Sequence, residues 1–421
     1  MAVCLMVLTF LTGFLRCLYK RGLCGLLILL LLSGCAIPQV SAEDRLFLDI
    51  SVELVGTATL EKQTFDGEPV GGISAIAYDI PNDRLYALSD NRDRPRFYTL
   101  NIDNLTSSTP PSPAAPSSIF ETLSIEAVTY LTDTAGQPFP PGTLDPEGMA
   151  LTPTGTLLIS TEGSPSRQIL PTIGEYDIAT GQLQTPIIVP RRYLPDTIPN
   201  SQSPISQSPN PPSPQTLGVQ ENLSFEALAI NVSSGTGGVY EPYRLFVATE
   251  GPLLQDLDFE PEIPYKNRLM HYTVSPYQTT LISEHLYEMD LAPTGAILHG
   301  LSEIAVLDQS GHFLSLERSF GFQGFTLKLF QMASGGATDI SAIESLKGDI
   351  SGISPIRKEL LLDLDTLGLP LQNYEAMTFG PTLRDRTTSG QGYSRSLLMM
   401  SDDNFSNDQE TNLLIFRLQQ S

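Results

Sequence analysis

The chain has 421 residues, 41% of them hydrophobic, which is enough for one large or two ordinary domains with a real core. A formal net charge of −23 argues against nucleic acid and against electrostatic binding to anionic lipid, while an acidic protein of this kind holds divalent cations well. Tryptophan is absent, and 33 Gly with 33 Pro imply many turns, which fits a β-rich fold better than a helical one.

The N-terminal stretch reads as an address rather than as part of the fold. Lys20-Arg21 form a basic segment, Leu23 to Leu32 an apolar one, and Leu32-Ser33-Gly34-Cys35 matches the bacterial lipoprotein processing box. Residues 1–34 are therefore expected to be a signal peptide, with Cys35 the lipidated residue. The alternative is an uncleaved membrane helix, lengthened by the apolar run Met1 to Leu15. Both readings place the globular part outside the cytoplasm, in the cell envelope and held to a membrane. Ala36 rather than Asp follows Cys35, which by the enterobacterial sorting rule permits export to an outer membrane. Removing residues 1–34 takes away Arg16, Lys20 and Arg21 and no acid, leaving 21 basic against 47 acidic residues and a charge of about −26. All four cysteines, Cys4, Cys17, Cys24 and Cys35, lie in this segment, so nothing beyond it can form a disulfide.

After a short tether at 36–45 and one or two strands over Arg45 to Leu60, a three-part unit begins to recur: strand, tight turn, strand, loop, strand. The first copy starts at Gly72-Ile73-Ser74, turns at Pro81-Asn82-Asp83 and continues through Ser89-Asp90. The second starts at Asp145-Pro146-Glu147 and the third at Phe225-Glu226-Ala227. The fourth starts at Ser302-Glu303-Ile304 and the fifth at Asn373-Tyr374-Glu375. Short apolar strands at this spacing predict an all-β β-propeller rather than a helical solenoid. Five clear copies, plus strands at Leu46 to Leu60 and Ile119 to Leu131, predict about six blades in a single domain, 46–421. Strands from both termini would close the ring. Thr106 to Ser118 and Pro195 to Gln215 are Ser/Pro-rich and read as mobile loop insertions, and a weak helix is expected at Ala337 to Leu346.

Aligning the units brings out their carboxylates. The first strand opens with Glu147, Glu226, Glu303 and Glu375 in four copies and with Ser74 in the other. The second strand ends in Asp90, Glu162, Glu250, Glu317 and Asp402. Equivalent positions of successive blades face one axis, so these groups would ring the central channel. Clustered carboxylates repel unless a cation sits among them or some are protonated, and hard oxygen ligands suit Ca2+ or Mg2+ rather than zinc. Asp90, Glu162, Glu250, Glu303, Asp403 and Asn404 are the expected metal ligands. The catalytic candidates are Glu147, Glu226, Glu375 and Asp402. Arg92 and Arg268 are placed to bind an anionic substrate. The competing reading has the acids bond backbone N–H groups and hold blades together, with the arginines on solvated loops. No G-x-S-x-G elbow, H-E-x-x-H, Walker loop, dinucleotide fingerprint or EF-hand loop is present. His271, His285, His299 and His312 show no metal spacing.

Asp145-Pro146-Glu147-Gly148-Met149-Ala150, Asn373-Tyr374-Glu375-Ala376-Met377 and above all Ser401-Asp402-Asp403-Asn404-Phe405 resemble the phytase-like family, the "esterase-like activity of phytase" proteins of bacteria, from about residue 46 to 421. The resemblance implies a β-propeller with phosphoester or ester hydrolase activity linked to calcium, acting on a small anionic or ester substrate. Its motifs match Glu147, Glu375, Asp402, Asp403 and Asn404. The Arg-His-Gly-x-Arg-x-Pro signature of the histidine acid phosphatases is absent. A non-catalytic propeller that binds a ligand or protein in the envelope is the alternative, and a lactonase-type propeller enzyme a third option, since one fold hosts all three.

Overall fold

The structure, a computed structural model, describes residues 46–102, 123–198, 214–232, 241–385 and 392–420. The chain divides into Met1–Leu46 and Phe47–Ser421, and the second unit carries the fold. The expected signal segment, Cys35, the Ser/Pro-rich stretch 106–118 and most of 195–215 lie outside the described residues.

Five four-stranded antiparallel sheets are arranged as the blades of a propeller. The chain begins with β1 (Ile50–Leu60) and a small hairpin, β2 (Thr64–Phe65) and β3 (Glu68–Pro69). Blade 1 is β4 (Ile73–Asp79), β5 (Arg84–Ser89), β6 (Arg96–Asn101) and β7 (Ser124–Tyr130). Blade 2 is β8 (Pro146–Leu151), β9 (Thr156–Thr161), β10 (Thr172–Asp177) and β11 (Leu183–Ile187). Blade 3 is β12 (Phe225–Val232), β13 (Tyr243–Thr249), β14 (Lys266–Val274) and β15 (Thr279–Glu288). Blade 4 is β16 (Ala296–Val306), β17 (His312–Gly321), β18 (Gly324–Ala333) and β19 (Arg357–Asp363). Blade 5 is β20 (Asn373–Asp385), β21 (Gly392–Asp402) and β22 (Thr411–Gln420), with β1 as its outermost strand.

The inner strands β4, β8, β12, β16 and β20 each neighbour the next, and β20 returns to β4, so the ring closes. β1 locks it: Val52 pairs with Leu418, Leu54 with Phe416 and Leu60 with Thr411, joining the start of the domain to its last strand. The expectation of six blades is corrected to five. The two strands that suggested a sixth are outer strands of existing blades, since Ile50–Leu60 completes blade 5 and Ser124–Tyr130 completes blade 1. The helix expected at 337–346 is also absent. That segment crosses to the outer edge of blade 3, where Ile340 N–H donates to Glu284 O at 2.8 Å and Ile356 N–H to Leu286 O at 2.8 Å. Its backbone groups are satisfied by a neighbouring strand instead of by a helical turn.

Each blade is covered on both faces by its neighbours, and the sequence shows why. In β9, Leu157 and Ile159 point into the core shared with blade 1 while Leu158 between them packs against blade 3. In β21, Leu397 and Met399 face blade 4 and Leu398 and Met400 face blade 1. A two-residue side-chain period between two apolar partners requires an unbroken apolar run, which is what these strands have. Phe313, Phe225 and Phe416 are all but fully buried in these inter-blade cores, and each such side chain contributes about 1.5–3 kcal/mol.

Candidate metal centre

Each of the five inner strands carries a β-bulge, near the start of β4, β8, β12 and β20 and midway along β16. The pairing shifts between Ile73 and Ala75, Pro146 and Met149, Phe225 and Ala227, Leu301 and Glu303, and Tyr374 and Ala376. A bulged residue is released from the ladder and re-aimed. The bulged residues are Ser74, Glu147 (with Gly148), Glu226, Ser302 and Glu375. Opposite them, Asp90 N–H bonds Gly72 O, Glu162 N–H bonds Asp145 O and Glu250 N–H bonds Ser224 O, at 2.8, 3.1 and 2.7 Å. In the other two blades Arg318 pairs with Gly300 and Asp402 with Asn373.

Register therefore makes Asp90, Glu162, Glu250, Arg318 and Asp402 equivalent. In blade 4 the ring position is held by Arg318 and not by the adjacent Glu317 that the repeat predicts, and a one-residue slip in a strand reverses the face. Glu317 points away from the ring, where its carboxylate accepts from the Tyr287 hydroxyl at 2.7 Å and from Asp290 N–H at 3.1 Å and pairs with Lys358. Glu303 accepts from Leu228 N–H at 3.1 Å and Ile304 N–H at 2.9 Å, tying blade 3 to blade 4.

Two groups of carboxylates bring their oxygens within 4.8 Å of one another: Asp145, Glu147 and Glu162, and Glu162, Glu226 and Glu250. Glu162 belongs to both. Its Oε1 accepts from Ser224 N–H at 2.8 Å. Each group has one member held by an arginine. Arg92 Nε lies 2.6 Å from Asp145 Oδ1, and Arg318 Nη2 lies 2.9 Å from Glu250 Oε1. Gly300 makes the second contact possible, because a Cβ there would stand 2.3 Å from Glu250 Cγ. Arg318 also pairs with Glu375 and donates to Asn373 Oδ1 at 2.7 Å. Asn373 Nδ2 in turn donates to Glu375 at 2.8 Å and to Asp402 at 3.4 Å.

Burial pushes these carboxyls up, and their neighbours add to it. Asp90 is pushed up to about 8 by burial, then by the charges of Asp402 and Asp145. Glu162 is pushed up to about 8 by burial and the charge of Glu250. Burial, with Glu226 beside Glu147 and Glu250 beside Glu226, raises Glu147 and Glu226 well above the usual carboxylate range. Burial and the nearby Asp403 bring Asp402 to about 6, against the hydrogen bond from Asn404 N–H. The cluster is therefore built to accept positive charge, as protons or as a cation. Its donors are carboxylates and hydroxyls, which fits a hard divalent ion.

Other expected site residues lie outside the two carboxylate groups. Asp403 Oδ1 accepts from Gly72 N–H and Phe405 N–H, both at 3.0 Å, and latches blade 5 to blade 1. Asn404 is exposed and donates its side-chain amide to Gln409 at 2.8 Å. Arg268 is fully buried in blade 3, 2.6 Å from Asp256 and 3.2 Å from Glu284, where it also bonds Ile343 O of the long 334–356 connection. Arg92 is the one expected substrate-binding residue that stands at the centre, 43% exposed. Sequence reasoning missed Asp145, Arg318, Asn373 and Ser302 as ring residues, because only the strand register identifies them.

The profile of the phytase-like family, described as esterase-like activity of phytase, matches residues 68–405. No curated protein sequence matches the chain. Solved structures similar to it include the catalytic domain of a GH62 α-L-arabinofuranosidase from Coprinopsis cinerea, 11% identical, covering 87% of this chain and 97% of that one with a TM-score of 0.39. They also include the Dos1 propeller, 8% identical, covering 82% and 68% with a TM-score of 0.31. A third is the hydrazine synthase of Kuenenia stuttgartiensis, 9% identical, covering 83% and 68% with a TM-score of 0.29. With its family profile spanning most of the five blades and all three of the acidic motifs at 145–150, 373–377 and 401–405, the chain belongs to the phytase-like family.

Proposed function

We propose that the protein is an envelope-anchored hydrolase that cleaves a phosphate ester or related ester at the acidic end of its channel with the help of a divalent cation, Ca2+ by family resemblance. The observation that carries this reading is the meeting of two carboxylate groups at Glu162. Asp145, Glu147, Glu162, Glu226 and Glu250 would hold such a cation, which would supply charge neutralisation for a phosphoryl oxygen and acidify a water molecule. Arg92, half-exposed, holds Asp145 through Nε and Asn222 Oδ1 through Nη2 at 3.1 Å, and its guanidinium charge favours an anionic group beside the carboxylates. Asp402 lies outside both groups, and its carboxyl, at about 6, accepts the proton of the attacking water and returns it to the leaving oxygen as the phosphorus–oxygen ester bond breaks. Glu147, Glu226 and Glu375 complete the acidic wall. The processing box at Cys35 supports the envelope anchoring.

A second reading, a non-catalytic propeller that binds a ligand or partner, draws on Asp403, Glu303 and Glu317, all of which are used in bonds within and between blades. Assay of the purified protein on phytate, p-nitrophenyl phosphate and p-nitrophenyl acetate, with Ca2+ or with chelator, separates the two. Calcium-dependent phosphate release lost in Glu162→Gln supports the hydrolase. Calcium-dependent stabilisation with no turnover supports the binding propeller.

A further inference from the structure

The outermost strand of blade 3 carries a constellation that the channel does not use. The two-residue side-chain period of β15 puts Ser283 and His285 on one face of the strand, both half-buried. That face is turned toward blade 4, because Tyr287, next in the series, packs in the core shared by Phe246, Leu301 and Phe313. Ser283 Oγ lies 3.0 Å from His285 Nε2, and His285 Nδ1 lies 3.1 Å from Thr338 O. The long 334–356 connection brings that carbonyl in, and it is fixed against β15 by the bonds from Ile340 N–H to Glu284 O and from Ile356 N–H to Leu286 O. Across the ladder, His271 of β14 pairs with Ser283 and puts its Nδ1 3.3 Å from Ser283 Oγ.

The partners assign the protons. A carbonyl only accepts, so His285 Nδ1 carries the hydrogen and Nε2 the lone pair. His271 stacks on Phe246 at 4.6 Å, and its Nε2 is buried with no hydrogen-bond partner among the described residues. A buried N–H without an acceptor is rarer than an open acceptor, so the hydrogen of this ring sits on Nδ1 and points at Ser283. Burial, then the charges of Arg244 and His285, hold His271 down to about 4, which keeps the ring neutral. Ser283 Oγ thus accepts from His271, and its own hydrogen is left for His285 Nε2. A serine hydroxyl that donates to a histidine whose other nitrogen is held by an acceptor is an activated nucleophile.

We propose that Ser283 and His285 form a second site, separate from the channel, in which a nucleophile and its general base cleave a small carboxylic ester by a reaction that needs no cation. Ser283 Oγ attacks the carbonyl carbon while its proton passes to His285 Nε2. The C–O bond to the alcohol then breaks, and Nε2 returns the proton to the departing alcohol oxygen. Water cleaves the acyl-serine by the same route: its proton passes to Nε2 and then to Ser283 Oγ as the carboxylic acid leaves. Asp339 accepts from Glu284 N–H at 3.1 Å and Ser341 N–H at 2.9 Å. It interacts electrostatically with His285 and favours the imidazolium that forms between these steps. Arg244, exposed on β13, acts on His271 and is a positive charge available to the developing oxyanion. The proposal goes beyond the channel reading and does not depend on it.

The test reads the serine itself. The full protein, kept in chelator, is mixed rapidly with p-nitrophenyl acetate. The expected result is a burst of about one p-nitrophenol per chain followed by slower turnover. Acid quenching and peptide mass spectrometry should then find an acetyl group on Ser283, and a fluorophosphonate probe should label the same residue. Ser283→Ala and His285→Gln should each lower the chelator-resistant rate by about 100-fold or more. Circular dichroism and melting establish that each variant is folded before its rate is read. Wild-type protein with neither acetyl nor phosphonate on Ser283 overturns the proposal, and so does chelator-resistant cleavage undiminished in folded Ser283→Ala. Either result leaves these hydrogen bonds as a tie between β14 and β15. Phosphate release with Ca2+ bears on the channel alone, so either reading can fail without the other.

Discussion

Arg318 and Glu250 face each other at 2.9 Å across the junction of blades 3 and 4, with the side chains 8% and 7% exposed. This pair decides how the channel is charged. Four blades end their second strand in an acid, and the arginine in the remaining blade anchors Glu250 on one side and Glu375 on the other. Replacing Arg318 by Met leaves two buried carboxylates without a counter-charge. Loss of one partner of a buried ion pair costs about 3–5 kcal/mol. Urea unfolding without added metal should show that loss, and millimolar Ca2+ should recover part of it. A variant as stable as the wild type contradicts the assignment.

The titration of the cluster gives a pH dependence of known sign. A carboxyl whose folded-state pKa lies above its unfolded value contributes stability that is present below the unfolded pKa and lost as pH rises through the folded one. Asp90 and Glu162 stand at about 8 and Asp402 at about 6. The melting temperature of the chelated protein is therefore expected to fall from about pH 4 to about pH 8, where the unfolded carboxyls have already ionised. Saturating Ca2+ should flatten that fall, because the cation takes over from the protons. A melting temperature that rises across this range with chelator present counts against the buried cluster.

Asp403 lies within the most family-specific motif of the chain, yet it acts as a latch. Asp403→Ala removes the acceptor of Gly72 and Phe405 N–H and should cost about 1–3 kcal/mol in chemical denaturation. Metal stoichiometry should be unchanged. Loss of a bound ion in this variant would return Asp403 to the metal site.

Arg268 is expected to matter for the fold alone. Arg268→Met takes the buried cation from Asp256, leaves Glu284 with Arg192 at 3.6 Å and removes one bond to the 334–356 connection, with an expected loss of about 3–5 kcal/mol. The KM for any ester substrate should not move at a temperature where the variant is folded. A raised KM with unchanged stability would restore it to the substrate site.

Much of this architecture is legible in the residues themselves. The runs Leu157-Leu158-Ile159 and Leu397-Leu398-Met399-Met400 are apolar at every position because both blade faces are covered, and they mark the second strands directly. The acids at Glu147, Glu162, Glu226 and Glu250 are legible for the same reason, each sitting at a fixed distance from such a run. The blade number was not, because an outer strand such as Ser124–Tyr130 has the pattern of a new blade's first strand until its pairing is known. Arg318 was hidden by Glu317 next to it, since only the pairing of Leu301 with Glu317 shows which of the two reaches the ring. Arg268 follows an acid in sequence like Arg92 does, but it sits on the third strand of its blade, away from the channel.

The most direct measurement is phosphate release from phytate and p-nitrophenyl phosphate by the chelator-treated protein, before and after Ca2+ is restored, with Glu162→Gln alongside. The expected result is turnover that appears only with Ca2+ and falls about 100-fold or more in the variant, in line with removing the carboxylate common to both groups. Equal turnover with chelator, or a Glu162→Gln variant as active as the wild type, would contradict a metal-assisted reaction at this end of the channel.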